Sequence, residues 1–307
     1  MLEQNRAELE KSGALWWHER GYRGKGVTIG ILDSGGIRSF QKSSVDIPFE
    51  VNDTIGHGAY VVATFLTFAP EARVIYGRRN TETAQYCLDQ GVQIFNISGS
   101  CSPDIYNLIK DKAIVFASVG NVPSSNILYP ANQDLAIGTA SYLVNTDKPA
   151  YNSTPGEAVD ITAFSNIEIP LDESGNTKVF SGTSAASPFA AGLLSLWLGA
   201  CWEIDIYPTL QEMRDYVFEH TEDVHDEGRD DKTGRGLFVL GSLPKRIQLK
   251  ISSKDYLLNG EIKTMDTAAV IDKNNRLLTP ARVVAEGLGA RVAYDNDWEY
   301  EIDIIML

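Results

Sequence analysis

Apolar positions in this chain gather into short unbroken runs that end on polar residues, the pattern of buried strands in an α/β sheet. The run that begins at Val27 reads as one such strand, ending on Asp33 and passing into a turn at Ser34-Gly35. A second buried run, from Ala113, ends on the amide of Asn121. Longer apolar stretches read as helices. One covers Ala59 to Phe68 and is opened by Gly56-His57-Gly58; another starts immediately after Ser184, inside the run Phe180 to Gly192. Its small residues, Ala185, Ala186, Ala190, Ala191 and Gly192, allow close packing on a neighbouring sheet. Pro188 is assigned to the first turn of that helix, where a missing N–H costs little.

Beyond Leu240 the pattern changes. Ile247 to Ser253 alternates as a half-buried strand, and Tyr256 to Gly260 reads as a strand entering an Asn259-Gly260 turn. Leu278 to Gly289 reads as a short helix, with Thr279 as N-cap, Pro280 at the first position and Gly289 as the stop. Ala290–Asp295 and Tyr300–Ile305 read as a closing hairpin. Residues 1–243 are therefore taken as one α/β domain, with a charged helical extension over 1–13, and residues 244–307 as a small α+β domain.

Chemistry gathers at the ends of these elements. Asp33 and Asn121 end predicted strands, while His57 and Ser184 open predicted helices, so all four fall on one edge of an α/β sheet. Ser184 lies at a helix N-terminus, where unpaired N–H groups and the dipole stabilise developing negative charge. Singly each signal is weak. Gly-Thr-Ser is an ordinary helix opening, and a histidine between glycines is often only a cap. Together, an orienting acid, a base, an amide donor and a nucleophile make a hydrolytic set.

These motifs resemble those of the subtilisin-like serine peptidases (subtilases). The segment Gly24 to Gly35 is similar to the family's Asp motif, His57 to Ala63 to its His motif, and Phe180 to Gly192 to its Ser motif. Ser118 to Asn121 resembles the segment that supplies the oxyanion amide, and Asn96 to Ser100 the edge that holds the substrate backbone. The likeness runs from about Leu15 to Leu240. It implies a three-layer fold, with a mostly parallel sheet flanked by helices. It also implies a serine endopeptidase in which Ser184 attacks, His57 transfers the proton, Asp33 orients the imidazole and Asn121 donates to the oxyanion. In subtilisins, losing one such donor costs about 2.7–4 kcal/mol of transition-state stabilisation. Ser98, Gly99 and Ser100, with Ser118, Val119 and Gly120, would bind the substrate and line its first pocket. Residues from Pro244 on resemble the module named after the N-terminal domain of copper amine oxidases, through Asn259-Gly260, Pro280-x-Arg282 and Glu286 to Ala290 leading to Tyr294-Asp295. It contains neither histidine nor cysteine. The resemblance implies an accessory domain that contacts proteins or surfaces.

Several positions depart from the family pattern. Ala59 and Tyr60 stand where a Thr and a second His are usual. Ser100 replaces a glycine and narrows the pocket, and Pro123 stiffens the loop after Asn121. The interval from His57 to Ser184 is short, which points to trimmed surface loops and a restricted processing peptidase. The alternative is a peptide-binding scaffold of the same fold that does not cut. An α/β-hydrolase esterase is disfavoured because the Gly-x-Ser-x-Gly elbow and the order Ser, Asp, His are both missing.

Composition narrows the partners. A formal charge of −14 and an isoelectric point near 4.7 argue against nucleic acid and anionic membranes. The same charge weakly favours basic substrate segments. No stretch is expected to span a membrane. The charged N-terminus lacks a signal-peptide core, which favours a cytoplasmic protein, with a secreted mature fragment as the alternative. Cys87, Cys101 and Cys201 form no metal pattern and suit a reducing compartment. No metal or cofactor is expected. Asp46 and Asp53 are read as solvated turn residues, and Asp226, Glu227, Asp230 and Asp231 as a solvated loop with a calcium site as the alternative.

Overall fold

The computed structural model describes residues 3–34, 44–49, 56–170, 176–245, 247–249, 252–259, 261–274, 277–279, 283, 290–294 and 302–306. The chain divides into two compact units, Met1–Ala200 with Pro208–Ser242, and Cys201–Tyr207 with Leu243–Leu307.

The first unit opens with helices α1 (Arg6–Lys11) and α2 (Ala14–Glu19). Strand β1 (Thr28–Asp33), β2 (Val45–Asp46), helix α3 (His57–Phe68), β3 (Arg73–Arg78) and α4 (Thr81–Asp89) follow. Next come β4 (Ile94–Ile97), α5 (Pro103–Ile109), β5 (Ile114–Ser118), β6 (Ala136–Leu143), β7 (Lys148–Pro149) and β8 (Ile161–Phe164). The hairpin of β9 (Ile167–Pro170) and β10 (Thr177–Phe180) leads into α6 (Thr183–Glu203). Helix α7 (Leu210–Glu219), β11 (Thr221–Glu222) and β12 (Leu237–Phe238) end the unit.

Among the described residues the main sheet has ten strands in the order β11-β12-β8-β6-β5-β4-β1-β3-β2, with β7 on β6. Only β11–β12 and β6–β7 pair antiparallel. Parallel neighbours need crossover connections, and α3, α4 and α5 supply them. Because β1 lies between β3 and β4, the winding reverses there. That reversal opens a crevice at the carboxyl ends of the strands, where Asp33 sits.

Strand parity then decides which face Asp33 takes. Leu32, Ile75, Phe95 and Val115 pack with Ala84 and Cys87 of α4 and Ile105 and Ile109 of α5. Residues on a strand alternate between faces, so Asp33 turns to the opposite layer. That layer holds α3 and α6, whose Phe68 and Phe189 rings lie 4.1 Å apart. Gly192 permits the contact, since a Cβ there would sit 2.9 Å from the Phe68 Cβ. Helices on both faces of a mostly parallel sheet are the three-layer architecture expected from the motifs.

Helix α6 corrects one expectation. At 21 residues it is long and apolar enough to cross a membrane by length and composition, but 89% of that window is buried inside the protein. It is the central core helix. The N-terminal extension is also more than a charged helix. Asn5 donates its carboxamide N–H to the Glu168 carbonyl and accepts from the Glu168 N–H, both at 2.8 Å. Its side chain thus serves the outer edge of β9. Trp17 and His18 of α2 are buried.

In the second unit, β13 (Ile247–Leu249), β14 (Asp255–Leu258) and β15 (Glu261–Thr264) form an antiparallel sheet. The β14–β15 turn has Asn259 at φ 51°, as expected of an Asn-Gly turn. Strands β16 (Val270–Ile271) and β17 (Leu277–Leu278) pair, as do β18 (Ala290–Tyr294) and β19 (Ile302–Met306). The last pair is the closing hairpin. Leu278 is in a strand rather than at a helix start, and most of the helix expected over 278–289 lies outside the described residues, as do Gly35 and Asp53.

His18 sets a pH dependence on the fold. Its Nε2 bonds the Phe68 carbonyl at 2.7 Å, and its Nδ1 has no partner among the described residues. Burial lowers its pKa, against the opposing pull of that carbonyl. A lowered folded-state value means stability is present above the ordinary histidine range, about 6.5, and is lost as pH falls below it. Thermal unfolding followed from pH 7.5 to 5 should show this loss, and His18→Gln should remove the histidine component of the slope.

Candidate active site

Asp33 and His57 come together as the motifs imply. Histidine opens α3, and its Nδ1 lies 2.8 Å from Asp33 Oδ1. The Asp33 side chain is fully buried and that of His57 is 30% exposed. Asp33 Oδ1 also accepts the Ser34 N–H at 2.6 Å. Gly58 is required beside His57, because a Cβ would fall 1.8 Å from the Tyr76 hydroxyl. Phe180, at the end of β10, meets the imidazole edge-on with centroids 5.4 Å apart. Tyr60 packs on the same phenyl ring and lies under Lys178, so the position where the family carries a second histidine does packing work here.

Ser184 is the second residue of α6 and is nearly buried. Its N–H has no partner among the described residues, as expected at a helix start. Pro188 is not in the first turn: α6 begins at Thr183, so the proline is the sixth helical residue. Having no N–H, it cannot serve the carbonyl four residues earlier. That carbonyl belongs to Ser184, and the Ser98 hydroxyl donates to it instead at 3.0 Å. Asn96 Nδ2 donates to Ser98 Oγ at 3.0 Å, and Ser187 donates to Asn96 Oδ1 at 2.7 Å. Asn96 and Ser187 are fully buried. A closed polar cradle therefore fixes the backbone beneath the hydroxyl of Ser184.

Asn121 is held by its carbonyl end. Its Oδ1 accepts from the Thr183 N–H at 2.9 Å and from the Thr183 hydroxyl at 3.1 Å. The Nδ2 has no partner among the described residues and is the free donor beside the start of α6. Thr154 braces the same loop: its N–H bonds the Gly120 carbonyl at 3.0 Å, and its hydroxyl accepts from the Val122 N–H and donates to the Val122 carbonyl. This brace, rather than Pro123, is the visible constraint on the loop. Beyond it lies an open cavity of 660 Å³ lined by Pro123, Tyr151, His225 and Lys232 among others. None of the four candidate groups lines it, so the chemistry is not assigned there.

The implied substrate-binding residues flank these groups. Ser98, Gly99 and Ser100 follow β4; Ser118 ends β5, with Val119 and Gly120 after it. The Ser98 hydroxyl faces inward to the cradle, leaving main chain at that edge. Sequence alone assigns no individual role to Thr183, Thr154, Asn96, Ser187 or Phe180, although all but Thr154 fall inside the motifs. A signal existed for Ser187, which lies three residues after Ser184 and so on the same helical face.

Other reactive groups are accounted for. Burial pushes the Cys87 thiol up to about 12 and that of Cys101 to about 11, so neither is a ready nucleophile. Asp46 bonds Arg73 and Tyr86. In the acidic loop, Asp230 accepts from the Lys232 and Thr233 N–H groups and the Thr233 hydroxyl. Burial works to raise its pKa, but those bonds hold it below the ordinary value. Among the described residues no group of three or more potential ligands is placed to hold a metal.

The cradle makes a direct prediction. Asn96→Ala removes the acceptor of Ser187 and the donor to Ser98, leaving buried hydroxyls unpaired. Urea denaturation should show a loss of about 1–3 kcal/mol.

Residues 50–236 match the model of the subtilase family, and residues 239–302 that of the copper amine oxidase N-terminal domain. Subtilisin BL of Lederbergia lenta is 26% identical over 214 residues, covering 58% of this chain and 78% of its own. In fold, the prenylagaramide maturation protease has a TM-score of 0.61 at 16% identity, covering 74% of this chain and 95% of that one. A lanthipeptide protease reaches 0.62 at 17% identity, covering 78% and 93%. With a family model spanning more than half its length, this chain belongs to the subtilase family of serine endopeptidases.

Proposed function

We propose that Asp33, His57 and Ser184 act as the catalytic triad and that Asn121 completes the oxyanion hole. The observation that carries this reading is the 2.8 Å contact between His57 Nδ1 and the fully buried Asp33 carboxylate. That bond places the proton on Nδ1 and leaves Nε2 as the base. Ser184 Oγ attacks the scissile carbonyl as His57 takes its proton, and the tetrahedral oxyanion receives Asn121 Nδ2 and the Ser184 N–H. His57 then protonates the leaving amine. Water attacks the acyl-enzyme by the reverse proton path, and Ser184 is regenerated. Asp33 stays ionised throughout and stabilises the imidazolium.

The substrate is a polypeptide. It would add as an extended strand along Ser98 to Ser100, with its first side chain between that edge and Ser118 to Gly120. Action on a restricted set of sites is the finer reading. Support comes from the short interval between His57 and Ser184 and from the likeness of fold to a maturation protease and a lanthipeptide protease. Neither a metal nor a cofactor enters the mechanism. Nucleic acid and anionic membranes are not proposed as partners of so acidic a chain. The C-terminal module is read as an accessory domain for contacts with proteins or surfaces.

A fluorophosphonate probe separates this reading from a silent peptide-binding scaffold. Wild type should be labelled and Ser184→Ala should not. If folded wild type resists the probe, the scaffold reading takes its place. Asn121→Ala should still be labelled, but its kcat should fall by about 10²–10³, the loss known for this donor in a subtilisin.

A further inference from the structure

Arg79 stands at the edge proposed for the substrate, and no carboxylate among the described residues meets its guanidinium. It follows β3, whose Arg78 is in register with Asp33, and its N–H donates to the Asp33 carbonyl at 3.1 Å. The side chain runs toward the loop after β4. A Cβ built on Gly99 would lie 2.1 Å from Arg79 Nη1 and 3.3 Å from its Cζ, so the guanidinium rests on the middle residue of the edge assigned to the substrate backbone. Arg79 is half-buried. Among the described residues no carboxylate pairs with it. Asp33 is taken by His57 and Ser34, and Asp46 by Arg73 and Tyr86. Its charge is felt nearby: burial raises the Cys101 thiol, and the Arg79 cation works against that rise.

A half-buried guanidinium carries five N–H donors in a rigid fork that matches a carboxylate. Half-buried, and with no carboxylate on it among the described residues, it is placed to take one from an arriving chain. A lysine or arginine at the same place would meet like charge. We propose that Arg79 is a specificity-determining residue that receives an Asp or Glu side chain of the substrate on the N-terminal side of the scissile bond. The side follows from the function proposed above, in which Ser98 to Ser100 take the substrate backbone and border the pocket of its first side chain, on the acyl side of the cut. This inference rests on the peptidase reading above, and it gives that reading a substrate chemistry: an acidic residue on the N-terminal side of the cut.

The test is a map of cleavage sites. A library of peptides from a digested proteome is incubated with wild type, Arg79→Leu and Arg79→Glu, with Ser184→Ala as the blank, and new ends are read by mass spectrometry. Wild-type sites should be enriched roughly tenfold in Asp or Glu at one position N-terminal to the cut, the discrimination of one charge-assisted hydrogen bond. The enrichment should vanish in Arg79→Leu and turn toward Lys and Arg in Arg79→Glu. Cleavage by wild type without acidic enrichment overturns the role of Arg79 and leaves the peptidase reading standing. So does an enrichment that survives both substitutions. No cleavage beyond the Ser184→Ala blank overturns the peptidase reading and this inference with it. A wild-type map without acidic enrichment overturns the role of Arg79 even if a variant fails to fold.

Discussion

The carbonyl of Ser184 lies four residues before Pro188, so helix α6 has no N–H to offer it. A buried carbonyl without a donor costs about 1–3 kcal/mol, and the debt falls on the residue whose hydroxyl must be held in place. The Ser98 hydroxyl settles it by reaching across from the end of β4. Ser98 is oriented in turn by Asn96, and Asn96 by Ser187 on the same helix. The proline, sixth in the helix, thus has a structural consequence. It compels a cross-link between the backbone of Ser184, the proposed nucleophile, and the sheet edge along which a substrate would lie, so the two are set at one fixed spacing.

The acid and the base depend on a different constraint. Successive residues of β1 point to opposite faces, so Leu32 enters the layer of α4 and α5 while Asp33 enters the layer of α3 and α6. A register slip of one residue would bury a leucine beside His57 and send the carboxylate into the α4 and α5 packing, where it would be unpaired. Such a slip is prevented by five parallel neighbours' worth of apolar matching, from β3 across to β8. The site is therefore precise because the core is. Phe180 adds the last contact from the hairpin, closing one edge of the imidazole without touching its bond to Asp33.

Much of this was legible in the sequence, for a physical reason. Asp33, Asn121, His57 and Ser184 each sit at the boundary of an apolar run, and such boundaries are local features of the chain. The runs predict an α/β sheet, and the three-layer fold was implied by the resemblance of the motifs at their ends. What stayed hidden is long-range. Asn96 and Ser187 are separated by 91 residues, Thr154 and Val122 by 32, and Asn5 and Glu168 by 163. Nothing in the spacing of polar residues announces which distant backbone a buried amide or hydroxyl will serve. Pro188 was misplaced because the first helical residue is Thr183, and propensity alone does not fix a helix boundary to better than a few residues.

Charge shows the same division between what composition and structure can tell. A formal −14 suggests that basic segments are drawn in, and over the distances of approach that attraction is real. Screening limits it, however, to a Debye length of about 8 Å at physiological ionic strength. At the crevice the nearer charge governs. Arg79 rests on Gly99 itself, half-buried and in a setting where screening is weaker than at the open surface. The field that steers a chain toward the protein and the group that reads it at the edge are therefore of opposite sign. A substrate that satisfies both carries its basic residues away from the cut and an acidic one beside it. Selection of that kind suits an enzyme that acts at few sites, because the two requirements are seldom met by the same short segment.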